Sequence, residues 1–169
     1  MKAVITLASC CLLCGIIALA SRAADTAPAK PAAKLLFPNN GFAIAPLDQP
    51  AAGTYKMLSM SLPPSGGFAP NINVMTQEYA GTMDDYTTLT LKQFDTMKFN
   101  VLSNTKSGKD TVTLEYSGTL KTGTLHWYAK AFSKNGTVYL VTATATEDQW
   151  KNVSDKLKTC VDSFEPLAH

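Results

Sequence analysis

The sequence places a single histidine, His126, inside the chain; the other, His169, is the last residue. Imidazole is the side chain whose charge changes near neutral pH, so His126 is the first candidate for proton chemistry. A hydrolytic triad needs an acid behind the imidazole and a nucleophile in front of it, and a metal site needs several ligands. No acid stands near His126 in sequence, and it sits in a β-rich run from Thr124 to Phe132. On a strand His126 and Tyr128 share one face, while Trp127 points to the other. His126 and Tyr128 therefore read as candidate binding residues on a sheet face. A hydrolase would need an acid and a nucleophile converging on His126 from distant parts of the chain.

The other reactive side chains support still less chemistry. Met57 and Met60 are three apart, so a strand places them on opposite faces and not around one soft metal. Gly66-Gly67 lacks the spacing and the lysine of a phosphate loop, and the acids are scattered. Cys160 lies beside Val161 in a helical pattern and reads as a small buried apolar residue. No catalytic residue, metal ligand or cofactor site is expected. Two further binding candidates remain. Phe68 stands in the Gly/Pro-rich loop Pro63 to Asn71, either as an anchor for a partner or folded back onto the sheet. Gln93 stands on the apolar stripe of a helix, where burial would require a hydrogen-bond partner. The sequons at Asn135 and Asn152 matter only in a eukaryotic secretory pathway, and the chain reads as bacterial.

The elements that must position these residues are legible from period and punctuation. Phe42 to Pro46, Tyr55 to Leu62 and Ile72 to Tyr79 read as strands. Thr82 followed by Asp84 and Asp85 starts a helix whose stripe is Tyr86, Leu89, Thr90, Gln93, Phe94 and Met97. Lys98 to Lys106, Thr111 to Gly118, Thr124 to Phe132 and Thr137 to Ala145 are strands, the last two joined by the hairpin signal Asn135-Gly136. Thr146 to Gln149 is a capping box opening a final helix, with Trp150, Val153, Leu157, Cys160, Val161 and Phe164 on one face. The fold class is α+β, a central antiparallel sheet with helices packed on its faces.

The N-terminus has a separate logic. After Met1-Lys2, residues 3–20 form an uncharged, mostly apolar run, followed by Ser21-Arg22-Ala23 with small residues at the −3 and −1 positions. This is the pattern of a secretory signal ending at Ala23, with a cut after Ala20 as the nearby alternative. A retained membrane anchor and lipidation at Cys10, within Leu7-Ala8-Ser9-Cys10, are the rival readings. Cys10, Cys11 and Cys14 all lie in this segment, so the exported chain keeps only Cys160 and forms no internal disulfide. Of 15 basic residues the signal removes Lys2 and Arg22, leaving 13 against 13 acidic ones. A neutral domain has no footprint for nucleic acid and no basic patch for a membrane. The organisation expected is a signal over residues 1–23, an Ala/Pro/Lys-rich linker over 24–40 in which Leu35 to Phe37 dock onto the domain, and one domain over 41–169.

Asn71-Ile72-Asn73-Val74, the helix through Tyr86 and Gln93, and Lys98-Phe99-Asn100-Val101-Leu102 resemble the PsbP/DcrB-like superfamily. So do Leu114 to Gly118, Tyr139 to Thr144 and the closing Asp162-Ser163-Phe164. The resemblance runs from Phe42 to about Glu165 and rests on element order and short runs. It implies a PsbP-like sheet of about six strands. It also implies a binding or assembly role, since members include photosystem extrinsic subunits, a nuclear-import factor that binds Ran, and bacterial periplasmic proteins and lipoproteins. No catalytic motif is shared among them, so the resemblance transfers no site. The expectation is a periplasmic or secreted, non-enzymatic module that binds a protein partner of the cell envelope and does not insert in the membrane once the signal is removed. A small-ligand carrier with a pocket near Gln93, His126 and Tyr128 is the alternative. Intact-mass measurement of the exported protein checks the first step: the mature chain is expected to begin at Ala24, and a mass retaining residues 1–23 or a lipid on Cys10 would refute it.

Overall fold

Strict alternation along Thr111–Leu120 makes the clearest strand of the fold. Val112, Leu114, Tyr116 and Gly118 are buried on one side, and Thr111, Thr113, Glu115 and Ser117 are half-buried on the other. The structure, a computed structural model, describes residues 35–37, 41–44 and 54–166. The signal segment and most of the linker lie outside the described residues. Two units are distinguished, Met1–Gly53 and Thr54–His169. In the first, β1 (Leu35–Phe37) pairs antiparallel with β2 (Phe42–Ile44) in a sheet of their own. Leu35 to Phe37, expected as part of a linker, thus form a strand, and Phe42 to Ile44 pair with them instead of joining the main sheet.

The second unit holds β3 (Thr54–Ser61), β4 (Asn71–Glu78), α1 (Met83–Met97), β5 (Asn100–Ser107), β6 (Thr111–Leu120), β7 (Gly123–Lys134), β8 (Thr137–Thr146) and α2 (Glu147–Asp162). The six strands form one antiparallel sheet in the order β3-β4-β8-β7-β6-β5. The expected α+β class and six-stranded sheet are what the chain adopts. Asn135 and Gly136 turn the central hairpin with φ of 51° and 76°. Both values are positive, as the tight turn that matches strand twist requires.

The helices lie on opposite sides. Phe94 of α1 packs at a tilt against Tyr116 with centroids 4.2 Å apart, whereas Trp150 of α2 stacks on His126, on the other face. α1 opens with a capping box between Thr82 and Asp85. It ends with Lys98 in the left-handed conformation at φ 59°, its N–H and that of Phe99 returning to Asp95 and Phe94. This Schellman-type end delays β5 to Asn100 where the sequence reads a strand from Lys98. The expected stripe is only partly covered: Phe94 is buried and Leu89 is 39% exposed, because α1 crosses β5 and β6 at one side of the sheet. α2, capped by Thr146 and Gln149 as the sequence indicates, buries Trp150, Leu157 and Val161. They pack with Ile72, Val141, Ala143 and Ala145, and Val153, Cys160 and Phe164 join at the margin. Each large apolar side chain fully buried here contributes roughly 1.5–3 kcal/mol.

Under α1 a second apolar layer forms from rings. Phe99 lies 5.0 Å from Trp127 and 6.0 Å from Tyr116, with Phe94 against both Phe99 and Tyr116. The ring of Phe99 occupies the space over Gly118, so a Cβ there would run into it. Gly118→Ala is therefore expected to displace Phe99 and destabilise the domain by roughly 1–3 kcal/mol, measured by urea denaturation. An unchanged midpoint would show that the ring layer yields freely.

Candidate functional site: a charge cluster beneath the second helix

On the face covered by α2, β6 and β7 place three polar side chains together. Tyr128 pairs with Glu115, and His126 pairs with Ser117 on one side and Ala145 on the other. Ala143 and Ala145 are fully buried, and their small side chains let α2 approach the sheet closely. Glu147, Trp150, Lys158 and Asp162 fall along one side of that helix and meet the strand residues.

The contacts centre on His126, whose side chain is 5% exposed. Its Nε2 lies 3.0 Å from Glu115 Oε1, and its Nδ1 lies 3.0 Å from Glu147 Oε2. Trp150 stacks flat on the imidazole, with centroids 4.1 Å apart and planes 15° apart. Lys158 Nζ donates to both oxygens of Glu115 at 2.8 and 2.9 Å. It also hangs over the rings of Tyr128 and Trp150, at 5.2 and 5.8 Å from their centroids. Tyr128 Oη donates to Asp162 at 3.1 Å, and Lys130 Nζ donates to the Asp162 carbonyl at 3.3 Å. Three elements, β6, β7 and α2, are thus tied by charge-assisted bonds in a partly dry space, where such bonds are strongest.

Burial by itself would raise the Glu115 carboxyl, but the hydrogen bonds and positive charges of Lys158 and His126 outweigh it and hold the group below the ordinary range. Burial, joined by the hydrogen bond to Asp162 and the charges of Asp162 and Glu115, pushes the Tyr128 hydroxyl up to about 12. Tyr128 therefore serves as a hydrogen-bond donor here. Both ring nitrogens of His126 face carboxylate oxygens, so neither is aimed at the hydroxyl of Ser117 beside it, as a general base acting on that hydroxyl would be. Among the described residues no group of three or more His, Cys, Asp or Glu side chains is arranged to hold a metal ion.

A cleft of about 510 Å³ opens next to this cluster, between Ser65-Gly66, the β6–β7 turn at Gly123-Thr124, and the first turn of α2, with Glu147 on its wall. Gln149 Nε2 fastens one side by donating to the Ser65 and Phe68 carbonyls at 2.7 and 3.0 Å and to Ser65 Oγ at 2.9 Å. Phe68, expected either as an anchor for a partner or folded back onto the sheet, is half-buried and bridged to Ser65.

Of the four residues expected from sequence, the fold brings His126 and Tyr128 together and sets Phe68 near the start of α2. Gln93 is not among them. It lies on α1, which packs on the opposite face, so the sheet itself prevents a pocket shared by Gln93, His126 and Tyr128. Glu115, Glu147, Trp150, Lys158 and Asp162 escape sequence reading because they lie between 11 and 36 residues from His126. Hairpin register is the signal that would have found Glu115: it places that residue diagonally across from His126 on the same face.

A PsbP family model matches residues 74–166, more than half of the chain. Among solved structures the chain is similar to PA94, a Pseudomonas aeruginosa protein of unknown function described as a candidate regulator. The TM-score is 0.63 at 15% identity, covering 81% of this chain and 98% of that one. At that identity the likeness is one of fold. A solution structure of the cyanobacterial PsbP from Synechocystis sp. PCC 6803 also aligns, with TM-score 0.45 and 15% identity over 86% of this chain and 98% of that one. No curated protein matches the chain.

The depressed Glu115 carboxyl has a measurable sign. Its contribution to stability is complete above the unfolded carboxylate value of about 4.3 and disappears as pH falls through the lower folded value. Glu115→Gln is expected to lower stability at neutral pH by roughly 1–3 kcal/mol and to flatten the acid limb of the stability curve. Urea melts from about pH 3 to neutral compare the two proteins; parallel curves would refute the assignment.

Proposed function

The chain belongs to the PsbP family, and we propose that it is an exported, non-enzymatic module of the cell envelope that acts by binding a protein partner. The observation that carries this reading is the state of the internal histidine. His126 is sealed beneath Trp150 with a carboxylate on each ring nitrogen, which supports a structural role for it over a catalytic one. The signal-like N-terminus and the neutral balance of the remaining chain support export and argue for contacts that are not dominated by charge.

The sheet edges suit such contacts. β5 exposes all eight of its side chains, including Val101 and Leu102 at 38% and 49%. At the other edge Leu58 and Met60 of β3 are 44% and 43% exposed. They pair with Val74 and Ile72, on the face that carries α2. An edge strand offers unpaired backbone donors and acceptors to an added strand, and flanking apolar side chains supply specificity. A second reading, a small-ligand carrier, is favoured by the cleft beside Glu147.

Photo-crosslinkers placed singly at Leu58, at Leu102 and, as a control, at exposed Lys151 on the outer side of α2 separate these readings in the native envelope. The expected result is one recurrent protein adduct from a single edge and none from Lys151. Identical adducts at all three positions, or none, would overturn the partner reading. A small molecule that co-purifies and shifts the amide signals of Ser65, Thr124 and Gln149 would establish the carrier instead.

A further inference from the structure

A neutral imidazole has one N–H and one lone pair, whereas both neighbours of the His126 ring are carboxylate oxygens at 3.0 Å. Only the doubly protonated ring donates to both. We propose that His126 is a proton-dependent clasp: protonated, it fastens the first turn of α2 to β6, and on losing one proton it releases Glu147 and alters the wall of the adjoining cleft.

The surroundings decide which bond breaks. From β6 the ring faces Glu115, and from β7 its neighbours are Tyr128 and, further along, Lys130. From α2 it meets Glu147 and Trp150, with Lys158 held on Glu115, Asp162 held on Tyr128, and exposed Asp148 beside Glu147. β8 contributes Ala145, which carries no charge. Glu115 is 18% exposed and is also gripped by Lys158, so it stays in place. Glu147 is 47% exposed and has His126 as its bonded partner, so water can take over its oxygens. The remaining ring proton therefore stays on Nε2, facing Glu115. The Nδ1 lone pair then confronts the Glu147 carboxylate, and two acceptors repel. Glu147 is the first residue of α2 and also lines the cleft, so its release loosens the helix start and changes the charge and shape of that opening.

Ring nitrogen-15 spectra and amide exchange of the purified protein, followed from acid to mildly alkaline pH, test the clasp. The ring is expected to pass from two N–H groups to one, retained on Nε2. Protection of the Trp150 and Lys151 amides, corrected for base catalysis, is expected to fall roughly tenfold with the same midpoint, the effect of losing one hydrogen bond to a charged group. In Glu147→Gln the amide can donate to the neutral Nδ1, so the step in protection should vanish while the ring still titrates. His126→Gln should also show no step. A ring that titrates while Trp150 and Lys151 do not respond would overturn the proposal. So would a step of the same midpoint in Glu147→Gln, a variant that decides the matter even if His126→Gln does not fold.

Discussion

The β7–β8 ladder is the interaction on which the rest is hung. Ten residue pairs, from Leu125 with Thr146 to Lys134 with Thr137, fix these two strands against each other. β6 is then aligned on the free side of β7, and β4 on the free side of β8. Register in such a ladder cannot drift, because a slip of one residue would exchange the two faces of every strand. The turn residues Asn135 and Gly136, by accepting positive φ, set that register at one end. The identity of each face follows. One carries Trp127 and Tyr116 toward the ring layer, and the other carries His126, Tyr128 and Glu115 toward α2.

That second face resolves a tension between burial and charge. Placing carboxylates, an imidazole and an ammonium partly out of water is costly unless each meets an opposite partner. Here Glu115 meets Lys158 and His126, Glu147 meets His126, and the Asp162 carboxylate accepts from the Tyr128 hydroxyl while Lys130 donates to the Asp162 backbone carbonyl. The network adds direction that apolar packing lacks. Leu157 and Val161 fix how deep α2 sits, while Glu147, Lys158 and Asp162 fix where it sits along its own axis.

Much of the fold was legible because local signals agreed. The Asn-Gly turn, the alternation of Thr111 to Gly118 and the capping box from Thr146 to Gln149 each name their element without help from elsewhere. Boundaries drifted where tertiary context intervened. Lys98 looks like the start of a strand, yet it caps α1 because the chain must reverse there before joining β6. Leu35 to Phe37 gained a strand identity only by pairing with Phe42 to Ile44. The candidate site was less legible for a physical reason. His126 was identifiable as unusual, but its meaning depends on partners brought in by register and by the placement of α2, and those are long-range facts. Gln93 shows the converse: a polar residue on a helix stripe says nothing about which side of a sheet the helix will cover.

The three bonds from Gln149 to Ser65 and Phe68 have a mechanical consequence. They weld the β3–β4 connection to the start of α2, so two walls of the opening beside Glu147 behave as one body. Its aperture then depends on the opposite wall, the Gly123-Thr124 bend, and on the hold that His126 keeps on Glu147 at the first turn of α2. Whatever enters there meets one wall braced by Gln149 and another set by the His126–Glu147 contact.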